Sequence, residues 1–559
     1  MSRIHELKIE NFRGIKKFSG KIGKDFVCLL GRGDSGKTTI LDAISFVLCP
    51  SWNLSVYDSD FFNGDTNCPI MIEVTLLDIP EKFINEEKYG LYIRGIDRGG
   101  EIHDELQHDH IKALTIRLEI NKNLEPEWCV VNNRQEPVRI SGGDRSRLNV
   151  FMVSDYIDKH FSWSKGSPLY SILRESQSPG DAKNDIIIEA LREAKEKIDK
   201  NSFDHFNNVT DQIKKISLDL GVDLSKAKTT VDFRDVSIRD GRVCLHDEDV
   251  PLRLKGKGTK RLISMAIQSI LVEHGGIVLI DEVEQGLEPD RVKHLVRSLK
   301  KENAGQIFLT THSSEVISEL DADDLVIVSN SNGNVTAASP DKNFQDVIRA
   351  CPEAGYAKRV IVCEGKTEIG ICRALDTHRK SQNKESMSAK GCIYVCGGGH
   401  SFADRAKKLK ELGLETCVFC DSDDKSLNPT KEDLKKSGVK IFDCDDGDAI
   451  EHQIFKDLAW EGIKTLINYV TQHRKMSESQ IRESIKSKYS GEFPTDYLNA
   501  DSSQMRKALA DASLVNDKEW FKRIDHGEFL GDVIFKHISD MDGKSIKNQL
   551  DGISCWIDT

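Results

Sequence analysis

The sequence predicts an α/β protein of several domains, and three observations support this prediction. The chain has 559 residues, which is too many for one hydrophobic core. Near its start, an apolar strand pattern at residues 26–30 runs through a glycine-rich loop into a helical pattern at residues 39–48. From residue 359 to residue 423, strand and helix patterns alternate, which is typical of a parallel sheet covered by helices.

The composition is that of an ordinary globular protein, with 38% hydrophobic and 30% charged residues. No apolar run reaches the length of a bilayer and the first residues do not form a signal peptide, so we expect a cytoplasmic location. The net charge is −12. Nucleic-acid binding would therefore need local basic patches, for which residues 255–261 and 405–410 are candidates.

Four of the 14 cysteines have a spacing that zinc sites also use: Cys392, Cys396, Cys417 and Cys420. Both pairs lie in strand-like runs, where successive side chains point to opposite faces. We therefore expect reduced core thiols here rather than a zinc site.

After a first alternating strand, residues 31–38 read G-R-G-D-S-G-K-T. This is the phosphate-binding loop G-x-x-x-x-G-K-[ST], in the strand–loop–helix context that the motif requires. Lys37 should reach the outer phosphates, and Thr38 should hold Mg²⁺. The predicted phosphate-binding set is Gly31, Gly33, Asp34, Ser35, Gly36, Lys37, Thr38 and Thr39.

The next segment is predicted to contain antiparallel strands at residues 70–77, 114–120 and 127–131, and a further strand at 150–153. Residues 161–228 are predicted to form a helical insertion, in which residues 186–198 have the clearest helical periodicity. The pattern fits a coiled arm, a dimer contact or a lid, and it does not distinguish them.

A second group of nucleotide-binding motifs follows in residues 229–345. Gly258 and Thr259 lie in a glycine-rich turn before a helix, which suits a phosphate contact made to a partner subunit. Asp281 and Glu282 end an apolar strand, where Asp281 would bind Mg²⁺ and Glu282 would polarise the attacking water. His312 follows the next strand and is predicted to contact the γ-phosphate.

These motifs together resemble an ABC-type ATPase head, split into residues 1–160 and 229–345. The resemblance implies ATP as cofactor and two copies per working unit, because the signature loop of one copy closes the site of the other. Residues 284–290 would be a loop that faces the dimer partner. A convincing Q-loop glutamine is missing from the sequence.

After a last edge strand near residue 329 and a connector at 346–358, acidic residues follow two predicted strands. Glu364 and Glu368 follow the first, and Asp421 and Asp423 follow the second. Strand ends of an open α/β sheet bring such side chains together, and carboxylates suit hard divalent cations. This arrangement resembles a Toprim metal site, although each piece alone also fits a helix cap.

Further acidic and basic residues lie in the rest of this domain, residues 359–559, around a helical insertion at 458–515. Asp448 and Glu451 fit both a capping box and metal binding, and the two readings stay open. Lys522, with Lys518 as the alternative, could neutralise charge on a phosphate. A solvated lysine beside a core Trp–Phe pair fits the same residues.

An ABC-type head followed by a Toprim (Rossmann-like) domain resembles the OLD (overcoming lysogenization defect) family of ATP-dependent nucleases, including the Gabija nuclease subunit and retron-associated effectors. The resemblance implies an ATP-regulated, metal-dependent DNA endonuclease active in anti-phage defence. It assigns Glu364, Asp421 and Asp423 to one Mg²⁺ or Mn²⁺, and Glu368 with Asp448 or Glu451 to a second. The implied partners are DNA, further copies of the chain, and a regulatory defence protein or a retron RNA.

Two other functions were weighed against the nuclease. One is a non-cleaving DNA-binding or repair clamp, in which the Toprim fold is only a scaffold. The other is a primase- or topoisomerase-like enzyme, which we disfavour because no tyrosine nucleophile stands in a recognisable context.

Overall fold

The structure is a computed structural model. It describes residues 2–52, 54–85, 88–153, 157–163, 167–169, 171–172, 204–232, 242–273, 275–301, 305–473, 476–516 and 518–559. The chain forms two compact units, residues 1–345 and 346–559. The predicted helix at residues 186–198 lies outside the described residues.

The first unit is built mainly of strands. They are β1 Arg3–Phe12, β2 Ile15–Lys21, β3 Phe26–Leu30, β4 Ile70–Leu77, β5 Arg94–Ile96, β6 Ile102–His103, β7 Ile111–Ile120, β8 Pro126–Val131, β9 Val138–Arg139, β10 Val150–Val153, β11 Ala227–Asp232, β12 Arg242–Asp247, β13 Val250–Pro251, β14 Ile277–Ile280, β15 Gln306–Thr310, β16 Leu325–Ser331 and β17 Asn334–Ala338.

The helices that accompany them are α1 Lys37–Val47, α2 Glu81–Ile84, α3 Gly142–Arg145, α4 Asp204–Asp219, α5 Lys257–Glu273, α6 Pro289–Lys301 and α7 Ser314–Glu319. A further helix, α8 Gln345–Ala350, begins at the boundary between the two units.

Fourteen strands of the first unit form one sheet, in the order β10-β14-β15-β3-β16-β17-β2-β1-β4-β7-β5-β6, with β8 and β9 continuing from β7. Strands β10, β14, β15, β3 and β16 pair in parallel. Every residue of β3, β14 and β15 is buried, as expected for parallel strands covered on both faces. The carboxyl ends of these strands therefore share one edge of the sheet.

The second unit contains a smaller parallel sheet. Its strands, in the order β19-β18-β20-β21, are β18 Arg359–Cys363, β19 Cys392–Cys396, β20 Glu415–Cys420 and β21 Lys440–Asp443. Its helices are α9 Lys366–Ser381, α10 Phe402–Glu411, α11 Asn428–Lys436, α12 Ile450–Asp457, α13 Trp460–His473, α14 Glu478–Lys488, α15 Ser503–Ser513, α16 Ile524–Lys536 and α17 Ser545–Asp558. The predicted α/β class is confirmed.

Three details differ from the sequence-based expectation. Strand β17 is not an edge strand, because it lies between β16 and β2. The expected connector is packed, since Val347 and Cys351 are buried in the core of the second unit. Helix α5 begins at residue 257, so Gly258, predicted to precede this helix, lies inside it. Within the described residues, no helix is long and apolar enough to cross a membrane.

Candidate active sites

The glycine-rich loop joins the end of β3 to the start of α1 and needs its glycines. Gly31 has φ 151°, and a Cβ there would lie 2.3 Å from the carbonyl oxygen of Val328. Gly36 caps α1 with φ 98°. A larger residue at Gly31 would therefore block the backbone path of this loop, which leads directly into the start of a helix, a position where anions bind.

Lys37 is folded back over this loop. Its Nζ donates to the carbonyl oxygens of Gly31 at 2.8 Å and Arg32 at 2.9 Å, and its side chain is buried. Burial lowers the pKa of Lys37, and the nearby Asp281 and Glu282 carboxylates oppose that shift. The Lys37 ammonium therefore lies beside the loop, where a phosphate would be a stronger acceptor for it than the two carbonyl oxygens.

The carboxyl ends of β14 and β15 place the acidic pair opposite the loop. Asp281 accepts from the Thr38 hydroxyl at 3.2 Å and from the Thr310 hydroxyl at 2.6 Å. The backbone N–H of Glu282 donates to the same Thr310 oxygen at 2.8 Å, and Glu282 has φ 45°, which is unusual for a residue with a side chain. Thr38 and Asp281 are therefore adjacent, as two ligands of one Mg²⁺ must be.

Helix α5 is tied to the same strand end by Arg261, a residue that the sequence did not single out for this role. Its buried guanidinium donates to the carbonyl oxygen of Glu282 at 2.7 Å, to that of Asp281, and to the Gln285 side chain at 2.7 Å. A Cβ on Gly258 would lie 2.3 Å from the carbonyl oxygen of Gly286. The first turn of α5, with Gly258 and Thr259, is therefore packed against the loop after Glu282.

His312 follows β15 and is exposed. Glu284, which the sequence analysis did not assign to this site, accepts from the His312 backbone N–H at 2.5 Å and from the Thr311 hydroxyl at 2.7 Å. Glu284 thus fixes the backbone that carries His312 at the same sheet edge as Lys37 and Asp281.

In the second unit, the parallel register places two predicted acids side by side. Cys363, the last residue of β18, pairs with Phe419 of β20. Glu364 and Asp421 therefore leave neighbouring strand ends, and Glu364 accepts from the Asp421 backbone N–H at 3.2 Å. Burial raises the pKa of the Asp421 carboxyl, and the Glu364 and Asp423 carboxylates raise it further.

Glu368 lies one helical turn after Glu364 and faces inward. Its Oε2 accepts from the Gly365 backbone N–H at 2.9 Å, so it caps α9, and only 3% of its surface is exposed. Burial raises the pKa of Glu368, Glu451 raises it further and Lys522 opposes both, so that the resulting pKa is about 7. The capping interpretation is therefore correct, but a surface cap would not need such burial.

Glu451, on α12, is 1% exposed, and neither of its carboxylate oxygens has a hydrogen-bond partner. Burial raises its pKa, Lys522 lowers it and Asp423 raises it. A buried carboxylate without partners is costly. The orphaned oxygens are therefore what a cation-binding position would leave in the protein without its ion.

Lys522 reaches the acids from a segment anchored by two buried aromatics, Trp520 and Phe521. The Trp520 ring contacts that of Phe455, on the helix that carries Glu451. The Thr367 hydroxyl, next to Glu368, donates to the Phe521 carbonyl oxygen at 3.1 Å. The Trp–Phe pair is therefore core, as one of the two sequence interpretations expected, and the role of Lys522 towards a phosphate stays a prediction.

The electrostatics of Lys522 place it among the acids. Burial lowers the pKa of Lys522, and a larger combined effect from surrounding carboxylates raises it above its ordinary value. These carboxylates belong to Glu451, Glu368, Asp421 and Glu364. Lys522 and the alternative, Lys518, are both exposed, so the surrounding carboxylates and not burial set Lys522 apart.

The third acidic segment, residues 443–448, forms separate pairs instead. Asp448 lies 3.2 Å from Lys456, which also contacts Asp445 at 2.8 Å. Asp443 lies 3.7 Å from the buried Lys431. The structure therefore brings Glu451, rather than Asp448, to the other acids.

The acids form a cluster but not a finished ligand set. Within the described ranges, no three His, Cys, Asp or Glu side chains are arranged as they would be around a metal ion. The donor set of five carboxylates nevertheless fits a hard divalent cation, and the Glu451 oxygens, which have no hydrogen-bond partner, would be available as ligands.

The described cysteines likewise form no cluster that could hold a zinc ion. Cys392 and Cys417 are buried in one core of the second unit and Cys420 in the other, while Cys396 is exposed. Burial raises the pKa of the Cys417 and Cys420 thiols. The expectation of core thiols fits Cys392, Cys417 and Cys420, whereas the exposed Cys396 does not follow it.

Residues 26–318, more than half of the chain, match the family described as "AAA domain, putative AbiEii toxin, Type IV TA system". Residues 356–423 match the family described as "Overcoming lysogenization defect protein-like, TOPRIM domain". The second match includes Glu364, Glu368, Asp421 and Asp423. No curated protein matches the chain.

Several solved structures of SMC heads are similar to the chain at low identity. The SmcHead bound to the C-winged helix domain of ScpA is 20% identical, with a TM-score of 0.39 over 61% of this chain and 98% of that one. An Smc head with an extended coiled coil, bound to the C-terminal domain of ScpA derived from Pyrococcus furiosus, is 16% identical, with a TM-score of 0.39 over 61% and 97%. The SMC head domain from Thermotoga maritima is 16% identical, with a TM-score of 0.31 over 61% and 99%. At these TM-scores the likeness carries no argument about function.

Proposed function

We propose that this chain is an ATP-regulated, divalent-metal-dependent DNA endonuclease. It belongs to the AAA ATPase family matched over residues 26–318 and also contains an OLD-like Toprim domain. OLD-family ATPase–Toprim proteins combine the same two domains. The main support is the clustering of five carboxylates and one lysine in the second unit. The orphaned, buried oxygens of Glu451 are the single observation that favours a cation there over an inert polar core.

In this proposal, Glu364, Asp421 and Asp423 hold one Mg²⁺ or Mn²⁺, and Glu368 and Glu451 hold a second. When bound, such a pair of cations activates a water and stabilises the leaving oxygen of a phosphodiester. Lys522 lies beside the same acids and would donate to the phosphate oxygens as their negative charge grows. Asp448 is left out of this set because its carboxylate pairs with Lys456.

At the nucleotide site, Lys37 would exchange its carbonyl partners for the outer phosphates of ATP. Thr38 and Asp281, already 3.2 Å apart, would share one Mg²⁺. Glu282 would orient the attacking water, and His312 would contact the γ-phosphate. Gly258 and Thr259 would contact the ATP of a second copy, in a homodimer or a larger assembly.

ATP would control the nuclease rather than supply its chemistry, because hydrolysis of a phosphodiester needs no input of energy. A nuclease that stays silent until triggered suits anti-phage defence, with a regulatory protein or an RNA as the partner that holds it silent. A Lys37→Ala protein should therefore lose the nucleotide response. If it still cleaved under the same ATP control, this regulatory role would be refuted.

The competing function is a DNA-binding clamp with a non-cleaving Toprim domain. It is favoured by one observation, namely that the acids do not stand in coordinating positions. The decisive experiment incubates plasmid and linear DNA with purified protein, Mg²⁺ or Mn²⁺, and a range of ATP concentrations. The double variant Asp421→Ala/Asp423→Ala should abolish cleavage and leave ATP turnover unchanged.

The matched control removes two exposed carboxylates from α11, Glu432→Ala/Asp433→Ala. It should cleave like the wild-type protein. Cleavage by the active-site double variant would refute the nuclease site. DNA binding without cleavage by the wild-type protein, in either metal and at every ATP concentration, would favour the clamp.

A further inference from the structure

Lys431 is a buried cation beneath the acid cluster. It lies on α11 and is 3% exposed. A lysine is seldom buried to this degree unless its ammonium has partners, because removing the charge from water costs several kcal/mol. This residue belongs to none of the motifs identified in the sequence, and the proposed reaction does not use it.

All of its polar neighbours lie at the ends of two adjacent strands. The Lys431 Nζ donates to the carbonyl oxygen of Asp421 at 2.5 Å and to the Ser422 hydroxyl at 3.2 Å. It also lies 3.7 Å from the Asp443 carboxylate. Since Cys420 of β20 pairs with Asp443 of β21, one ammonium joins two strand ends.

Helix α11 presents this lysine to the sheet. Leu434, one turn later on the same face, is buried in the core of the second unit. Lys435 and Lys436 point outward and pair with acids of their own helix. The buried position of Lys431 is therefore fixed by the packing of α11 and does not depend on its charge alone.

The contacts of Lys431 fall on the segment between two proposed metal ligands. Asp421 and Asp423 flank Ser422. The Ser422 backbone N–H donates to the Asp448 carbonyl oxygen at 3.0 Å, and the Ser422 carbonyl oxygen accepts from the Gly447 N–H at 3.0 Å. Asp421 and Asp423 carry like charges when ionised, as does the neighbouring Glu364, whose carboxylate accepts from the Asp421 backbone N–H at 3.2 Å. A cation that grips the backbone between them keeps them together before any metal arrives.

We propose that Lys431 is a positioning residue, which preorganises Asp421 and Asp423 to receive a divalent cation. The inference rests on the proposed function, because it needs the acid cluster to bind metal. It goes beyond that function in assigning the affinity for metal partly to a residue that touches neither the metal nor DNA. Groups behind metal ligands typically change affinity or activity by about 10- to 100-fold when removed.

The test measures Mn²⁺ binding to the full chain by calorimetry without nucleotide, and DNA cleavage across a Mn²⁺ titration. Lys431→Met should raise the Kd for Mn²⁺ about 10- to 100-fold. Excess Mn²⁺ should restore most of its cleavage. A purely structural defect would lower cleavage at every metal concentration instead. Lys435→Met, an exposed change on the same helix, is the control and should behave like the wild-type protein.

A second variant protects the test against misfolding of Lys431→Met. Ser422→Ala removes one acceptor of the ammonium and leaves the lysine paired, so its Kd for Mn²⁺ should rise by up to about tenfold. Circular dichroism and thermal unfolding show whether each variant is folded. If Lys431→Met is unfolded, Ser422→Ala alone decides the matter.

The outcomes distinguish failure of the positioning role of Lys431 from failure of the proposed nuclease function. Weakened Mn²⁺ binding in folded Lys431→Met or Ser422→Ala protein, with an unchanged control, supports the inference. Wild-type affinity in the folded variants overturns it and leaves the nuclease proposal intact. If wild-type protein binds no Mn²⁺ and cleaves no DNA, the proposed function itself fails, and the role of Lys431 with it.

Discussion

The burial of Glu368 allows a quantitative test of the acid cluster through protein stability. The perturbation is Glu368→Gln, studied without metal. Glutamine has the same shape, and its side-chain oxygen can still accept from the Gly365 N–H that Glu368 now caps at 2.9 Å. The substitution therefore removes the charge and keeps the cap.

The magnitude follows from the pKa of Glu368, which burial raises from 4.5 to about 7. Between these values the folded protein binds more protons than the unfolded chain, so stability falls as pH rises. The destabilisation caused by ionising the buried Glu368 carboxyl is absent well below pH 4.5. It is complete above about pH 7, where it reaches roughly 3 kcal/mol. Relative to the wild-type protein, the variant should therefore gain roughly 2–3 kcal/mol more at pH 8 than at pH 5.

The assay is urea unfolding of the full chain in EDTA at pH 5 and pH 8, followed by tryptophan fluorescence. The second unit contains Trp460, Trp520 and Trp556. Adding Mn²⁺ at pH 8 should make the wild-type protein more stable than Glu368→Gln, because the cation binds the wild-type carboxylate and lacks this ligand in the variant.

Glu432→Gln on the surface of α11 is the control, since it removes an exposed charge and should change the free energy of unfolding by less than about 0.5 kcal/mol at either pH. Equal effects of Glu368→Gln at pH 5 and pH 8 would show that burial does not raise this pKa. A variant less stable than the wild-type protein at pH 8 in EDTA would refute the reasoning outright.

Three further substitutions test individual features. Gly31→Ala would place a Cβ 2.3 Å from the Val328 carbonyl oxygen, so binding of a fluorescent ATP analogue should be lost. Wild-type affinity would contradict the tight loop. Lys522→Met should lower DNA cleavage about 100-fold or more with ATP turnover unchanged, whereas Lys518→Met should cleave normally. Similar losses of cleavage in both variants would mean that Lys522 has no special role at the phosphate. Gly370→Ala would bring a Cβ within 2.4 Å of the backbone of α16, which should cost about 1–3 kcal/mol of stability in urea unfolding. Unchanged stability would show that the two helices can separate freely.

The sequence predicted those parts of the sites that contiguous motifs encode. Residues 31–38 combine a buried strand, glycines and a helix start, so their arrangement follows from local backbone geometry alone. Glu364 and Asp421 could be placed together because parallel strand ends share an edge. Their metal binding stays a prediction, since the acids lie close together without a coordinating arrangement.

The rest depends on packing that no local pattern encodes. Lys522 and Lys518 could not be separated because the surroundings of Lys522 depend on Trp520, whose ring contacts the helix that carries Glu451. Asp448 and Glu451 together match a capping box in the sequence, yet α12 is capped at Ala449 without a side-chain hydrogen bond and Glu451 is buried. Lys431 carried one usable signal, its place three residues before the apolar Leu434, which puts it on the buried face of α11.

The position of β3 between β15 and β16 has a consequence for biosynthesis. The strand that leads into the glycine-rich loop is translated early, but both of its neighbours in the sheet come from residues 306–331. A ribosome must therefore release some three hundred further residues before that strand can be covered on both sides. Until then its apolar side chains and open strand edges depend on chaperones or on non-native contacts for protection. A chain that terminates before β15 should emerge as an aggregation-prone fragment that binds no nucleotide.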